Sequence, residues 1–217
     1  MTSLDPVGGA DAIQHQIAAL PQQTIDPVRE VRREWSRRLR GANAAEVLAV
    51  ADALVPRQRW VGYELVDAHR AAREALDEAW VERLGRGIGS WGEVDAFGRF
   101  VSGPAWQRGQ IPDAAIERWA RSGDRWWRRA ALVSTVPLNL RAAGGRGDVE
   151  RTLRICGLLV ADRDDMVVKA MSWALRQLVE WDADAVRSFL DAEPVAARVR
   201  REVRTKLATG RKHRPRR

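Results

Sequence analysis

From residue 27 to residue 207 the chain is a succession of stretches of ten to twenty residues, rich in Ala, Leu, Arg and Glu, each ended by a brief Gly, Pro or Asp breaker. β-branched runs are scarce, and no alternation of period two lasts long enough to form a strand. That combination confines the chain to an all-α fold. At 217 residues it is long enough to bury one sizeable core, read as a single domain rather than two.

The punctuation predicts the elements. Residues 1–26 read as a loosely ordered leader with at most one short helix around Ile13 to Leu20. Helices are predicted over 27–40, 44–55 (stopped by Pro56), 63–84, 90–102, 112–121, 125–136 (ended by Pro137), 148–160, 165–180, 183–190 and 194–207. Residues 209–217 form a basic tail expected to be disordered. Helix pairs joined by short turns at a spacing of about forty residues describe, over 27–208, a HEAT-like helical-repeat solenoid. An irregular helical bundle is the alternative.

One predicted helix, Asp165 to Glu180, carries more than packing information. Val167, Ala170, Met171, Ala174, Leu175 and Leu178 recur at the three-and-four spacing of a single apolar face. Lys169, Trp173, Arg176 and Glu180 align on the other side. An indole flanked one turn away by cations suits a flat or anionic partner such as nucleic acid. Trp173 packing against a neighbouring helix is the competing reading.

Charge supports the same direction. The net charge is +8, but Arg198 to Arg217 holds ten Lys or Arg against the one acid Glu202, so the basicity is concentrated at the C-terminus. Within the body, Arg99 to Arg146 holds nine Arg and three acids, a local footprint for a backbone-tracking surface. Ten Trp against three Phe and one Tyr exceed what a core of this size needs. Cys156, the sole cysteine, cannot form an internal disulfide and reads as a small buried hydrophobe. No signal peptide and no run of eighteen apolar residues is visible, so a cytoplasmic protein without membrane partners is expected. His15, His69 and His213 lack ligand spacing, and Gly85, Gly87 and Gly89 lack the Lys-Ser/Thr ending of a phosphate loop. Neither a metal nor a cofactor is expected.

Four patterns occur in order: Gly62-Tyr63-Glu64; Ser90-Trp91-Gly92-Glu93-Val94-Asp95, with Trp91 and Asp95 four apart on one helix face; Trp126-Trp127-Arg128-Arg129-Ala130; and Val168-Lys169-Ala170-Met171-Ser172-Trp173-Ala174-Leu175-Arg176. From about Val31 to Leu207 the set resembles the AlkD-like DNA alkylation repair glycosylases, with Gly92 departing from the commoner W-D-x-V-D form. The resemblance implies HEAT-like repeats with a concave DNA-binding face and excision of cationic N3- and N7-alkylpurines from duplex DNA, without base flipping. It also implies that Asp95 is the catalytic carboxylate, that Trp91 and Trp173 line the lesion site, and that Arg129 and Arg176 contact DNA. Arg128, which helical phase does not separate from Arg129, and Lys169 are further DNA-binding candidates.

The chemistry is coherent. A cationic alkylpurine is already a good leaving group, so the enzyme's task is to stabilise a sugar becoming oxocarbenium-like. A nearby carboxylate does this electrostatically, indole faces hold the sugar, and arginines clamp phosphates. Each residue also has an ordinary reading. Asp95 can be a solvated helix acid, and Trp91 can be core, although Gly98 on its side of the helix leaves space nearby. Of Trp126 and Trp127, Trp126 aligns with Ala130 and Val133 and is expected to pack inward. The expected partner is alkylated duplex DNA, with no obligatory protein partner, for a monomer that joins the nucleoid when bound. The rival functions are a non-catalytic protein binding distorted or branched DNA, and a protein-interaction scaffold.

Overall fold

The computed structural model describes residues 5–211, and among these every regular element is helical. The chain divides into two compact units, Met1–Ile88 and Gly89–Arg217.

The first unit contains α1 (Pro6–Ala18), α2 (Ile25–Arg38), α3 (Ala44–Ala68), α4 (Arg70–Glu74) and α5 (Glu78–Gly85). The leader is better anchored than its composition suggests. Asp5 caps α1 by accepting from the N–H groups of Val7 and Gly8, and Ile13 and Ile17, four apart, are fully buried where α1 lies on α3. Pro56 does not end its helix; α3 continues to Ala68 across a kink at Gln58 (φ −133°, ψ 51°). Proline removes one hydrogen bond and crowds the preceding turn, which bends the helix, while Leu54, Val61 and Leu65 on both sides of the bend keep it buried. The helix predicted over 63–84 is instead divided by two side-chain caps: His69 Nδ1 accepts from Ala72 N–H, and Asp77 accepts from Trp80 N–H.

The second unit contains α6 (Trp91–Phe97), a π-helical turn (Gly98–Ser102), α7 (Gly103–Gln107), α8 (Asp113–Ala120), α9 (Arg125–Asn139), α10 (Val149–Leu158), α11 (Asp165–Leu178), α12 (Ala183–Ala192) and α13 (Ala197–Thr209). Its hub is α9, buried without interruption from Arg129 to Asn139 and packed by α6, α7, α8, α10 and α11. Pro137 lies inside α9 rather than ending it. The last turn is held by Asn139, whose amide donates to Thr135 O and Thr152 Oγ1 while its oxygen accepts from Asp148 N–H. Helix α11 presents the predicted apolar face, with Val167, Ala170, Met171, Ala174, Leu175 and Leu178 all buried, and packs on α9 and α13.

Two sequence expectations about this core are corrected. Both indoles are half-buried, but it is Trp127, not Trp126, that joins the aromatic cluster: it meets Trp119 at 4.9 Å and Phe97 edge-on at 6.0 Å, whereas Trp126 lies beside Arg125. Phase relative to Ala130 and Val133 misled because both indoles lie in the half-buried first turn of α9, where the aromatic neighbours Phe97 and Trp119 engage Trp127. Gly98 leaves no space for Trp91 either, because a Cβ there would stand 2.5 Å from Val133 Cγ1. A Cβ on Gly103 would stand 2.6 Å from both Gly98 O and Pro137 Cγ. These glycines let the π-helical turn that follows α6 press closely on α9. Cys156 is buried, and desolvation pushes its thiol pKa well up, in keeping with a packing role. Among the described residues no helix is long and apolar enough to cross a membrane.

Replacing Gly103 by Ala should therefore destabilise the protein by about 1–3 kcal/mol, the usual cost of overpacking a close contact. A urea unfolding midpoint equal to that of the wild type would contradict this packing.

Candidate functional site

The local sequence sets up α6. Ser90 Oγ accepts from Glu93 N–H, and the Glu93 carboxylate accepts from the N–H groups of Gly89 and Ser90, a reciprocal cap that starts the helix at Trp91. Gly92 has open space around its Cα and does not disturb that start. Trp91 and Asp95 therefore share one face. Trp91 is 62% exposed, against the alternative reading of it as core, and it is among the few large apolar side chains left in solvent.

Asp95 is 23% exposed and points at α9. Arg129 donates to its Oδ1 twice, through Nε at 3.1 Å and Nη2 at 2.7 Å, and uses its remaining nitrogen, Nη1, on the Met166 carbonyl in the first turn of α11. One guanidinium thus ties α6, α9 and α11 together. Oδ2 of Asp95 accepts no hydrogen bond from any described residue. Burial raises the Asp95 pKa above the ordinary aspartate value, and the charge and hydrogen bonds of Arg129 offset this only in part.

Trp91, Asp95, Arg129, Met166, Lys169, Trp173, Arg176, Arg198 and Glu202 line one cleft of about 350 Å³, large enough for a sugar with its phosphate. Trp173 is half-buried in its wall. The structure thus brings together Asp95, Trp91, Trp173, Arg129, Arg176 and Lys169, and leaves out Arg128. Arg128 serves the turn before α9: its guanidinium donates to Asp162 and to the carbonyls of Ser122 and Gly123.

A family model described as a DNA alkylation repair enzyme matches residues 24–213. The chain belongs to that family. No curated protein matches it significantly. Both the enzyme role and the place in DNA repair follow from this membership.

In this alkylation repair protein the two arginines expected to touch DNA do something else. Arg129 is 5% exposed and engaged by Asp95 and Met166; Arg176 is 9% exposed and engaged by Ser172 and Glu202. Their donors point at protein acceptors, so as placed they position carboxylates rather than clamp phosphates. The basic stretch from Arg99 to Arg146 is likewise offset in space, since Arg121 meets Glu117, Arg125 meets Asp164 and Arg128 meets Asp162. Sequence counting missed this because two of those acids come from the turn before α11.

Sequence reasoning also missed Arg198 and Glu202, both on α13. The carboxylate of Glu202 accepts from Ser172, Arg176 and Arg198. Burial by itself would raise its pKa, but the Ser172 and Arg198 hydrogen bonds and the nearby guanidinium charges hold it below the ordinary glutamate value. Its signal was present: a lone acid in a run of ten cations. Much of that basic run is helical, with Val199 and Val203 buried. Residues 212–217 of the expected disordered tail lie outside the described residues. No group of three or more His, Cys, Asp or Glu among the described residues is placed to hold a metal ion.

Because Arg129 is the main group opposing desolvation at Asp95, Arg129→Met should move the Asp95 titration midpoint, read by carboxyl-carbon NMR, further upward. A midpoint unchanged or lowered would show that the pair does not hold the carboxylate ionised.

Proposed function

We propose that this protein is a DNA glycosylase that excises positively charged N3- and N7-alkylpurines from duplex DNA, with Asp95 as its catalytic carboxylate. The observation that carries this reading is that Asp95, whose Oδ2 accepts no hydrogen bond from a described residue, lines one cleft with the exposed Trp91 and the half-buried Trp173.

The bond that breaks is the one between the sugar C1′ and the purine nitrogen. Its electron pair leaves with the base and cancels the base's positive charge, so no proton need be delivered to the leaving group. The sugar takes up the positive charge as an oxocarbenium-like species. Asp95, kept ionised by Arg129 in a partly desolvated setting, stabilises that charge more in the transition state than in the ground state. The two indoles attract the same developing cation through their faces and hold the sugar by dispersion. Water then adds to C1′, and its proton passes to Asp95 Oδ2 or to bulk water, leaving an abasic sugar and a neutral free base. Neither metal nor cofactor takes part in this sequence of steps. A helical-repeat surface tracking the DNA backbone is the arrangement that delivers the lesion to this cleft, with the protein acting as a monomer in the cytoplasm.

Wild-type protein should release 7-methylguanine or 3-methyladenine from methylated duplex DNA, and Asp95→Asn should lower the single-turnover rate by roughly 10²-fold or more, the scale of losing a dominant electrostatic stabiliser. Equal rates for the two proteins would remove Asp95 from the mechanism. Absence of release by the wild type, with DNA binding retained, would make this a binder of damaged or distorted DNA and the Asp95–Arg129 pair a structural tie.

Trp91 tests the other wall of the cleft independently of folding. Since it is exposed, Trp91→Ala should leave the melting temperature nearly unchanged while reducing the excision rate by about tenfold, the order expected for a cation–π contact of ~1.4 kcal/mol. Loss of stability without loss of rate would return Trp91 to a packing role.

A further inference from the structure

Resting on the reading of the cleft as a DNA site, we propose that Lys169 of α11 and Arg198 of α13 form a seat for one phosphodiester group at its rim, and that the Asp165 carboxylate occupies this seat in the free protein. The three side chains make a compact arrangement. Lys169 Nζ lies 2.5 Å from Asp165 Oδ2, and Arg198 Nη1 lies 3.0 Å from Asp165 Oδ1. Two cations from different helices therefore each take one oxygen of a single anion, the way two non-bridging oxygens of a phosphodiester would be taken. Both cations line the same cleft as Asp95 and the two tryptophans, so an anion in the seat would lie beside the sugar those residues face.

The exchange is geometrically simple. Arg198 is held from the inside by Glu202, which accepts its Nε at 2.9 Å, and Glu202 is itself nearly buried and fixed by Ser172 and Arg176. Only the outer nitrogen of Arg198 is given to Asp165. Asp165, Lys169 and Arg198 are each 38–56% exposed, and ion pairs in that range are weak and readily screened. The carboxylate, held ionised chiefly by its Lys169 hydrogen bond, can therefore yield to a phosphate without disturbing the buried network behind it. The cleft lining carries four cations, Arg129, Lys169, Arg176 and Arg198, against the two acids Asp95 and Glu202, and Asp165 offsets part of that excess from outside.

The seat gives the site a cation pair that Arg129 and Arg176 do not supply. It also limits attraction to other anions until a duplex displaces Asp165, which makes Asp165 a competitor built into the protein.

The test is equilibrium binding of the full-length protein to a duplex carrying a non-hydrolysable abasic analogue, measured across a salt series. Asp165→Asn should bind more tightly, by up to about tenfold at moderate salt, the combined scale of two exposed pairs. Arg198→Ala should bind more weakly and lower the slope of log K against log salt by about one, as loss of one phosphate contact requires. Asp191→Asn removes an exposed acid that pairs with Arg204 away from this cleft, and it should change neither quantity. An unchanged salt slope in Arg198→Ala would make Arg198 a structural partner of Glu202 and overturn the seat. Equal tightening in Asp165→Asn and Asp191→Asn would reduce the effect to general charge and overturn the competition. A wild type that does not bind the duplex at all would overturn the DNA-site reading itself, and is distinguished from the other two results by that fact alone.

Discussion

The candidate site depends on one guanidinium. Arg129 converges twice on a single oxygen of Asp95 and reaches the Met166 carbonyl with its remaining nitrogen, so that three helices meet at one charged group. A partly buried carboxylate alone would respond to desolvation by taking up a proton, and would then have no charge to offer a forming cation. A carboxylate paired through both oxygens would be ionised but closed to substrate. Pairing through one oxygen opposes protonation of Asp95 and leaves Oδ2 without a hydrogen bond from a described residue, as the proposed cleavage at a cationic purine requires. The ion pair is thus compatible with chemistry because it is one-sided.

The same pattern of charge neutralised within the fold recurs around the cleft. Arg176 is matched by Glu202, and Lys169 and Arg198 by Asp165. The buried pairs build the wall, where removing one partner would strand the other without solvent. The exposed ones at the rim are weak and readily screened, as the proposed exchange of a carboxylate for a phosphate requires. Burial therefore sorts the arginines into those engaged within the fold and those left partly in solvent, a distinction a charge count does not contain.

That sorting marks the boundary of what was legible in the sequence. Local signals carried well: the four-residue spacing of Trp91 and Asp95 and the apolar stripe of α11 each act within one helix and appear as read. Features that depend on distant partners did not. Asp162 and Asp164 reach the α9 arginines from the turn before α11, and Glu202 reaches Arg176 from α13. Trp127 was chosen over Trp126 by Phe97 and Trp119. Pro56 and Pro137 were overread as stops because burial on both sides of each proline carried the helix onward. The family resemblance supplied the positions of the two tryptophans and the aspartate; only the packing shows that Arg129 serves Asp95.

The central claim is that Asp95 offers a fixed negative charge to a sugar that becomes positive. The most direct measurement compares affinity for a duplex bearing a cationic aza-sugar, which carries the transition-state charge, with affinity for the same duplex bearing a neutral tetrahydrofuran analogue. Wild-type protein should favour the cationic duplex by about tenfold or more at neutral pH, and Asp95→Asn should bring that ratio close to one. An identical preference in both proteins would mean that the charge is read elsewhere, and the account of this cleft would be wrong.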